Sequence, residues 1–174
     1  MSEGENKSGS CGVLTISDKG SREKRQDTSG PALKAILVKN GFEIAAYKII
    51  PDSKESIKAT LIEWTDERRL DLIVTTGGTG VSPTDVTPEA TRAVIEREVP
   101  GISEIMRQAS FKKNLNAVLS RGIAGIRKKS LIINVPGSEK AARENIETVV
   151  KCLPHAVYKI KGGTEDCSKG INDE

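Results

Sequence analysis

Short apolar runs alternate with amphipathic segments along this chain of 174 residues. The apolar runs predict four strands, at Val13–Ser17, Glu43–Ile50, Asp71–Thr75 and Ser130–Val135. The spacing of apolar residues between them predicts helices at 29–40, after Ser53, after Thr87, at 101–110 and after Ser138. This alternation favours a three-layer α/β fold, in which a mostly parallel sheet carries helices on both faces.

Residues that favour helix ends stand at the predicted boundaries. Pro31 suits the first turn of the first helix, and Gly41 suits the left-handed conformation after its end. The predicted N-caps of later helices are Ser53, Thr87 and Ser138. The predicted buried stripe of the second helix consists of Ile57, Leu61, Ile62 and Trp64.

Polar segments at both ends predict disordered tails at residues 1–10 and 163–174, with a single domain over residues 11–162 between them. The polar and acidic start resembles neither a signal peptide nor a transit peptide. No apolar run approaches the roughly 18 residues of a membrane span. We therefore expect a cytoplasmic protein that does not enter a membrane.

Composition narrows the function classes. The three cysteines, Cys11, Cys152 and Cys167, form no metal-binding spacing with the single histidine, His155, and are expected to be reduced thiols. A net charge of +3 without a basic, aromatic-interleaved stripe argues against nucleic-acid binding. A small anionic substrate remains compatible with this modest positive charge.

Three polar loops follow three different strands, with the sequences SDKGS, GGTGVSPTD and NVPGS. Because the carboxyl ends of parallel strands lie at one edge of a sheet, these loops should meet there. The sequence therefore predicts the functional site at this edge.

The loop from Thr75 to Glu89 carries the most informative chemistry. Gly77, Gly78 and Gly80 let backbone amides approach a ligand, which makes the loop a candidate phosphate cradle; a tight turn without a ligand is the alternative. No Gly-Lys-Ser/Thr sequence follows, so the loop is not a Walker A motif.

Carboxylates stand beside the predicted edge. Asp85 could hold Mg²⁺ while the loop amides hold phosphate oxygens, or it could be an exposed turn residue. Asp52, Asp18 and Asp27 also flank this edge, where each could instead be an ordinary turn or cap residue. The polar Ser17 at a strand end indicates a bound ligand.

The segments SDKGS, DTSGP, YKIIPD, TTGGTGVSPTDVTPEAT, LSRGIAGIR, LIINVPGS and LPHA occur in this order. In that order they resemble the MogA-type molybdopterin adenylyltransferases, a group that includes the G domain of gephyrin. The resemblance covers Val13 to Lys161, and GGTG followed by DVTPEAT is its most specific part. The MoaB proteins and one domain of the MoeA proteins have similar folds, but VTPEAT, PD and SRGIAGI favour the MogA type.

This resemblance implies a mixed sheet, a homotrimer, and Mg²⁺-dependent transfer of AMP from ATP to molybdopterin, with possible hand-over to a MoeA-type molybdate-insertion protein. Asp52 and Asp85 match the family's two catalytic, magnesium-holding aspartates. The residues that match its nucleotide- and pterin-binding segments are Ser17, Asp18, Thr76, Gly77, Gly78, Thr79, Gly80, Ser120, Arg121, Asn134, Pro136, Gly137 and Ser138.

Two positions depart from the family pattern. Thr84 stands where many relatives have Arg, which removes a cation beside Asp85, and Lys128 replaces a common glycine. The loss of that cation keeps open a MoaB-like pterin-binding protein without transferase activity. A nucleotide-binding scaffold, a role that gephyrin also has, is a further alternative.

Other notable residues are expected to be structural. Trp64 is predicted in the core or a subunit interface, and His155 on a helix surface or interface. The basic stretch 127–129 is predicted as a solvated turn, with attraction of the anionic substrate as the alternative.

Overall fold

The structure, a computed structural model, describes residues 8–18 and 26–164. Most of the two predicted tails and Cys167 lie outside these ranges. The prediction of a tail over residues 1–10 was wrong at its end, because the first strand begins at Gly9 and the Ser8 amide donates to the Gly41 carbonyl at 2.9 Å.

Within the described ranges, six strands form one mixed sheet. They are β1 (Gly9–Ile16), β2 (Phe42–Ile50), β3 (Leu72–Thr76), β4 (Arg97–Glu98), β5 (Ala124–Arg127) and β6 (Ser130–Val135). Their spatial order is β2-β1-β3-β6-β5-β4. The first four in this order are parallel, whereas β5 and β4 add an antiparallel edge. The predicted α/β fold is confirmed, and the short strands β4 and β5 are additions that the sequence pattern did not predict.

The α-helices are α1 (Ser29–Lys39), α2 (Lys54–Ile62), α3 (Thr87–Arg92), α4 (Pro100–Phe111), α5 (Glu139–Val149) and α6 (Leu153–Ile160). Short 3-10 turns cover Leu115–Leu119 and Val150–Cys152, and a π-helical turn at Glu63–Glu67 extends α2. The turn at Val150–Cys152 separates α5 from α6, just before Pro154. Among the described residues, no helix combines the length and apolar character that a membrane span requires.

Residues that alternate along the strands build two cores, one on each face of the sheet. Val74 and Ile133 belong to the core covered by α1, α4, α5 and α6. Ile73 and Ile132, their neighbours along the same strands, belong to the core that contains Trp64 from the end of α2. The central strands β3 and β6 are buried on both faces, as expected for a sheet between two helix layers.

The helix caps agree with two of three predictions. The hydroxyls of Ser53 and Ser138 accept from the amides of Ser56 and Ala141, at 3.4 and 3.3 Å. The prediction for Thr87 was wrong: Val86 is the N-cap of α3, and Thr87 is a buried helix residue. Its hydroxyl points to the glycine loop instead of capping the helix. Because both groups of that contact are buried, leaving them unpaired would cost more free energy than leaving the helix start uncapped.

The parallel strands direct the chain to one edge of the sheet. From β1 the chain crosses to β2 on one side, and β3 and β6 lie on the other side. The carboxyl ends of all four strands therefore surround a reversal of strand order, the usual location of a ligand crevice in open α/β sheets.

Candidate active site

The glycine loop leaves β3 through backbone that suits only glycine. Gly77 has φ +106° and Gly78 has φ +62°. A Cβ on Gly77 would collide with the Ile16 carbonyl oxygen, and a Cβ on Gly78 would lie 3.0 Å from Oδ1 of Asp52. Close approach of three strand ends therefore requires these glycines.

Buried threonines fasten this loop to its neighbours. The Thr76 hydroxyl donates to the Pro136 carbonyl at 2.7 Å, which joins the ends of β3 and β6. The Thr87 hydroxyl donates to the Gly77 carbonyl at 2.9 Å. The Gly77 amide donates to Val135 at 3.2 Å. The loop is thus held from the strand side and the helix side together.

Three aspartates come together at the sheet edge. The Asp18 amide donates to Oδ2 of Asp52 at 2.9 Å, and the Asp52 amide donates to Oδ1 of Asp18 at 3.1 Å. Burial raises the pKa of Asp52 above its ordinary value, and the negative charges of Asp18 and Asp85 raise it further, against the opposing effect of the Asp18 amide. The site therefore concentrates negative charge where a cation is favoured.

Asp27 is a hydrogen-bond centre at the start of α1. Its carboxylate accepts from the hydroxyls of Thr15 and Ser29, the amide of Gly30 and the hydroxyl of Tyr47. Burial alone raises the pKa of Asp27, but the four donors outweigh it and hold this pKa below its usual range. Burial and the Asp27 carboxylate together raise the pKa of Tyr47 to about 12.

Two cavities meet at this edge. The larger, of about 580 Å³, extends from the glycine loop to α4 and α5. Its charged and amide residues include Arg107, Lys113, Asn114, Asn116, Lys140 and Asn145. The smaller, of about 310 Å³, lies over the ends of β1 and β3 and is lined by residues that include Thr15, Asp27, Ser29 and Asp52.

The two cavities share a wall. Gly78, Asp85, Gly137 and Ser138 line both of them. The backbones of the glycine loop and the Pro136–Ser138 loop touch in this wall, since a Cβ on Gly137 would lie 3.1 Å from Cα of Gly77. A ligand in each cavity would therefore meet at Asp85 and the loop amides.

Most of the site residues predicted from the sequence come together here. The smaller cavity includes Ser17, Asp52, Thr76 and Gly77 in its lining, the larger includes Thr79, Gly80, Ser120 and Pro136, and the shared wall contains Gly78, Asp85, Gly137 and Ser138. Asp18 is bound to Asp52 directly behind the smaller cavity.

Asn134 and Arg121 lie elsewhere. The Asn134 side chain is buried and donates to the hydroxyls of Thr75 and Thr91, at 2.9 and 3.0 Å. The Arg121 guanidinium contacts the outer side of the glycine loop, and among the described residues it lines neither of the two cavities. Both residues support the site without facing it.

Several lining residues carried no signal in the sequence. Lys113, Asn114 and Asn116 follow α4, up to and within the 3-10 turn Leu115–Leu119. Lys140 and Asn145 lie on the face of α5 beside the larger cavity. Lys113 pairs with Glu144 across this cavity at 3.3 Å. Only the docking of α4 against α5 brings these residues to the glycine loop, so no local motif could identify them.

The carboxylates of Asp85, at the shared wall, and of Asp52, in the smaller cavity, fit a magnesium ion. Burial raises the pKa of Asp52, the charges of Asp18 and Asp85 add to this effect, and a cation held with ligand phosphates would stabilise the ionised carboxylates. Within residues 8–18 and 26–164, no three His, Cys, Asp or Glu side chains form a metal-binding group. Two carboxylates completed by substrate phosphates are the usual arrangement for Mg²⁺.

The residues that depart from the family pattern lie away from the cavities. Thr84 is exposed and its hydroxyl lies 3.1 Å from that of Ser82. Lys128 has φ +51°, which accounts for the glycine common at this position, and it pairs with Asp66 at 2.9 Å. Arg127 also pairs with Asp66, at 2.7 Å, so this basic turn is a structural ion-pair cluster.

Comparison with known proteins identifies the family. The family model described as "Probable molybdopterin binding domain" matches residues 12–155. The chain is 45% identical over 154 residues to a molybdopterin adenylyltransferase of Helicobacter pylori, and the match covers 87% of each protein. It is 44% identical over 141 residues to the Escherichia coli K12 molybdopterin adenylyltransferase, covering 79% of this chain and 72% of that protein.

A longer relative and two solved structures support the same family assignment. The Drosophila melanogaster protein named molybdenum cofactor synthesis protein cinnamon is 46% identical over 150 residues, which are 86% of this chain but 25% of that protein. A crystal structure of the molybdopterin biosynthesis enzyme MoaB from Thermus thermophilus has a TM-score of 0.85 at 50% identity, covering 88% of this chain and 97% of that one. A MogA structure has a TM-score of 0.83 at 32% identity, covering 87% and 99%. This chain belongs to the family of molybdopterin binding domains that includes the MogA and MoaB proteins.

Proposed function

We propose that this protein is a molybdopterin adenylyltransferase of molybdenum cofactor biosynthesis, which transfers AMP from Mg-ATP to the terminal phosphate of molybdopterin. The observation that carries the proposal is the wall shared by two cavities, in which Asp85 and the Gly78 and Gly137 backbone face both sides. A reaction between two substrates needs such a common boundary, because holding both reactants beside each other removes much of the entropic barrier.

The chemistry of each cavity suits one substrate. The larger cavity offers Arg107, Lys113 and Lys140 to an anionic ligand, together with amide side chains for the polar edge of a pterin. The smaller cavity offers the glycine-loop backbone and the Asp52 carboxylate, which suit the phosphates of a magnesium-bound nucleotide. We assign the pterin to the larger cavity and ATP to the smaller.

The reaction needs positioning and charge stabilisation rather than a protein nucleophile. An oxygen of the molybdopterin phosphate forms a bond to the α-phosphorus of ATP, and the bond from that phosphorus to the bridging oxygen breaks. Pyrophosphate leaves with the bonding electron pair, and a phosphoanhydride joins AMP to the pterin. Amides of Gly78 and Gly137 would hold phosphate oxygens at the shared wall.

Asp52 and Asp85 would hold Mg²⁺, which supplies charge neutralisation on the nucleotide phosphates. The protein contributes the geometry of these carboxylates. Asp52 is fixed through its reciprocal hydrogen bonds with Asp18, and Asp85 through the amide of Ser82, which donates to its Oδ2 at 2.9 Å.

Pyrophosphate release from Mg-ATP, measured with and without molybdopterin, tests the proposal. The wild-type protein should release pyrophosphate only when the pterin is present, and Asp85→Asn should lose about a hundred- to thousandfold in rate. Asp71→Asn is the matched control, because Asp71 lies at the opposite edge of the sheet, where it accepts from the Ser10 amide and pairs with Lys161.

Tight pterin binding without pyrophosphate release would contradict the proposal and favour a MoaB-like binding protein. The 50% identity to a MoaB structure and the threonine at position 84 are the observations that favour this alternative. Restoring arginine at position 84 would then be the first variant to make.

The proposed enzyme is a cytoplasmic homotrimer that passes its product to a MoeA-type molybdate-insertion protein. Large apolar side chains at and after the end of α4 are exposed in the isolated chain and would suit a protein contact; they are Phe111, Leu115, Val118 and Leu119. Analytical ultracentrifugation should give three times the mass of one chain.

A further inference from the structure

The segment 80–85 is a loop whose two ends are joined by one side chain. Arg121 donates from Nε to the Gly80 carbonyl and from a terminal nitrogen to the Asp85 carbonyl, both at 2.6 Å. The Arg121 amide also donates to the Thr79 carbonyl at 2.8 Å. Four exposed residues lie between the fastened ends, Val81, Ser82, Pro83 and Thr84.

The same guanidinium is anchored to a helix. Its remaining terminal nitrogen pairs with the Glu89 carboxylate, in the first turn of α3. Arg121 thus connects three separate parts of the chain: the start of the loop, its end, and the helix that follows. Its planar group has fixed donor directions, so it sets the distance between the two loop carbonyls in a way that a flexible ammonium cannot.

The position of Arg121 separates it from a ligand contact. It lines neither of the two cavities but a separate surface depression, whose lining also includes Val81, Ser82, Asp85 and Glu89. Each nitrogen of its guanidinium is already engaged by protein oxygen. Three of the five N–H donors of this group therefore hold the loop and α3 in place.

We infer that Arg121 is a positioning residue, which closes the 80–85 loop and so holds the Asp85 carboxylate at the wall between the two cavities. This inference rests on the proposed function only for the role of Asp85. Within the loop the Asp85 amide donates to the Ser82 carbonyl and the Ser82 amide donates to Oδ2 of Asp85, both at 2.9 Å. Arg121 fixes the base of this turn, and the turn fixes the carboxylate.

Hydrogen exchange tests the structural half of the inference without any substrate. Arg121→Ala should accelerate exchange at the amides of Ser82 and Asp85, because the turn that protects them loses its base. Arg121→Lys should behave like Arg121→Ala, since one ammonium cannot satisfy both carbonyls and Glu89. Glu89→Gln should give a smaller acceleration in the same amides.

Arg127→Ala is the matched control, because Arg127 also donates to one carboxylate and one carbonyl, those of Asp66 and Val94, but far from this loop. It should lower the melting temperature without accelerating exchange in the 80–85 loop. Unchanged exchange in Arg121→Ala, or equal acceleration in Arg127→Ala, would overturn the inference.

Magnesium dependence tests the functional half. At saturating ATP and pterin, Arg121→Ala and Arg121→Lys should need about ten- to a hundredfold more Mg²⁺ for half-maximal rate, with KM for the pterin little changed. A raised KM for either substrate at every Mg²⁺ concentration would instead make Arg121 a ligand contact and overturn the inference. Failure of the wild type to release pyrophosphate would contradict the proposed function alone, because the exchange experiment stands without it.

Discussion

The carboxylates of Asp18 and Asp52 each accept a hydrogen bond from the other residue's backbone amide, at 3.1 and 2.9 Å. This exchange joins the ends of β1 and β2 and fixes the Asp52 side chain toward the smaller cavity. A carboxylate held in this way can bind a cation without first losing its own conformational freedom. Asp52 is the clearest case in this site of a side chain positioned by its neighbour.

Asp52→Asn should separate activity from stability. The substitution should reduce pyrophosphate release about a hundred- to thousandfold, because one preorganised charged group is lost. Since burial and neighbouring charges raise the pKa of Asp52, the ionised form lowers stability at neutral pH, and the amide should leave the melting temperature unchanged or slightly higher. Calorimetry and turnover measurements on the same preparation check the melting temperature and the rate of pyrophosphate release. A large decrease in melting temperature would contradict this reasoning.

The rate should fall on the acidic side at a higher pH than an ordinary aspartate would cause. The raised pKa of Asp52 means that its carboxylate becomes protonated earlier as the pH falls, which removes a magnesium ligand. Asp18→Asn removes one of the charges that raise this pKa. The acidic limb of the rate profile should therefore move to lower pH in Asp18→Asn, and a shift to higher pH would refute the assignment.

Gly77→Ala should damage the fold at the site, while Gly101→Ala should not. Gly77 has φ +106° and no space for a Cβ beside the Ile16 carbonyl, so the substitution should destabilise the protein by about 2 kcal/mol or more. Gly101 lies in α4 with nothing within 4 Å of an added Cβ, and alanine should stabilise this helix by about 0.5–1 kcal/mol. Urea unfolding of the two variants provides the measurement.

Asn134→Ala should lower the free energy of unfolding by about 1–3 kcal/mol, because the substitution leaves three buried hydrogen-bond partners of Asn134 unpaired. Its amide donates to Thr75 and Thr91, and its Oδ1 accepts from the Ile123 amide at 3.3 Å. Binding of pterin to the folded fraction should be little changed. A normal unfolding free energy with weakened pterin binding would instead support the ligand role that the family resemblance implies.

Asp66→Asn should be destabilising only where the carboxylate is ionised. Hydrogen bonds from Arg127, with a smaller effect of Lys128, hold the pKa of Asp66 far below its usual range. Its contribution, about 1 kcal/mol after allowing for solvent screening, is complete above the unfolded pKa of about 4 and is lost as the pH falls through the folded pKa. The melting temperatures of wild type and variant should thus converge at low pH, with equal turnover at pH 7.

The sequence predicted the parallel strands and their common edge well, because short apolar runs and capping residues are local signals. Ser53 and Ser138 are examples: each stands directly before its helix and accepts from the first turn. The antiparallel strand Ala124–Arg127 was not predicted, because it is short and contains Gly125. It also turns into β6 through Lys128, a residue type that rarely adopts positive φ.

Residues of the candidate site that stand at strand ends could be predicted from the sequence. Residues whose position depends on side-chain burial or on helix packing could not. Asn134 follows Ile133 along β6, so the two-residue period of a strand places it on the face of Ile132, toward Thr91 of α3. That alternation is present in the sequence, whereas the resemblance to MogA-type proteins implies a ligand contact for the same residue. The lining residue Lys140, by contrast, depends on how α5 packs beside α4.

The most direct test of the account is transfer of the α-phosphate of ATP to molybdopterin, followed with ATP labelled at that phosphorus. Wild-type protein with Mg²⁺ and molybdopterin should move the label into an adenylylated pterin, one pyrophosphate appearing for each label transferred, and Asp85→Asn should abolish both. Pyrophosphate without labelled pterin, or labelled pterin formed equally by Asp85→Asn, would contradict the claim that adenylyl transfer takes place at the wall between the two cavities.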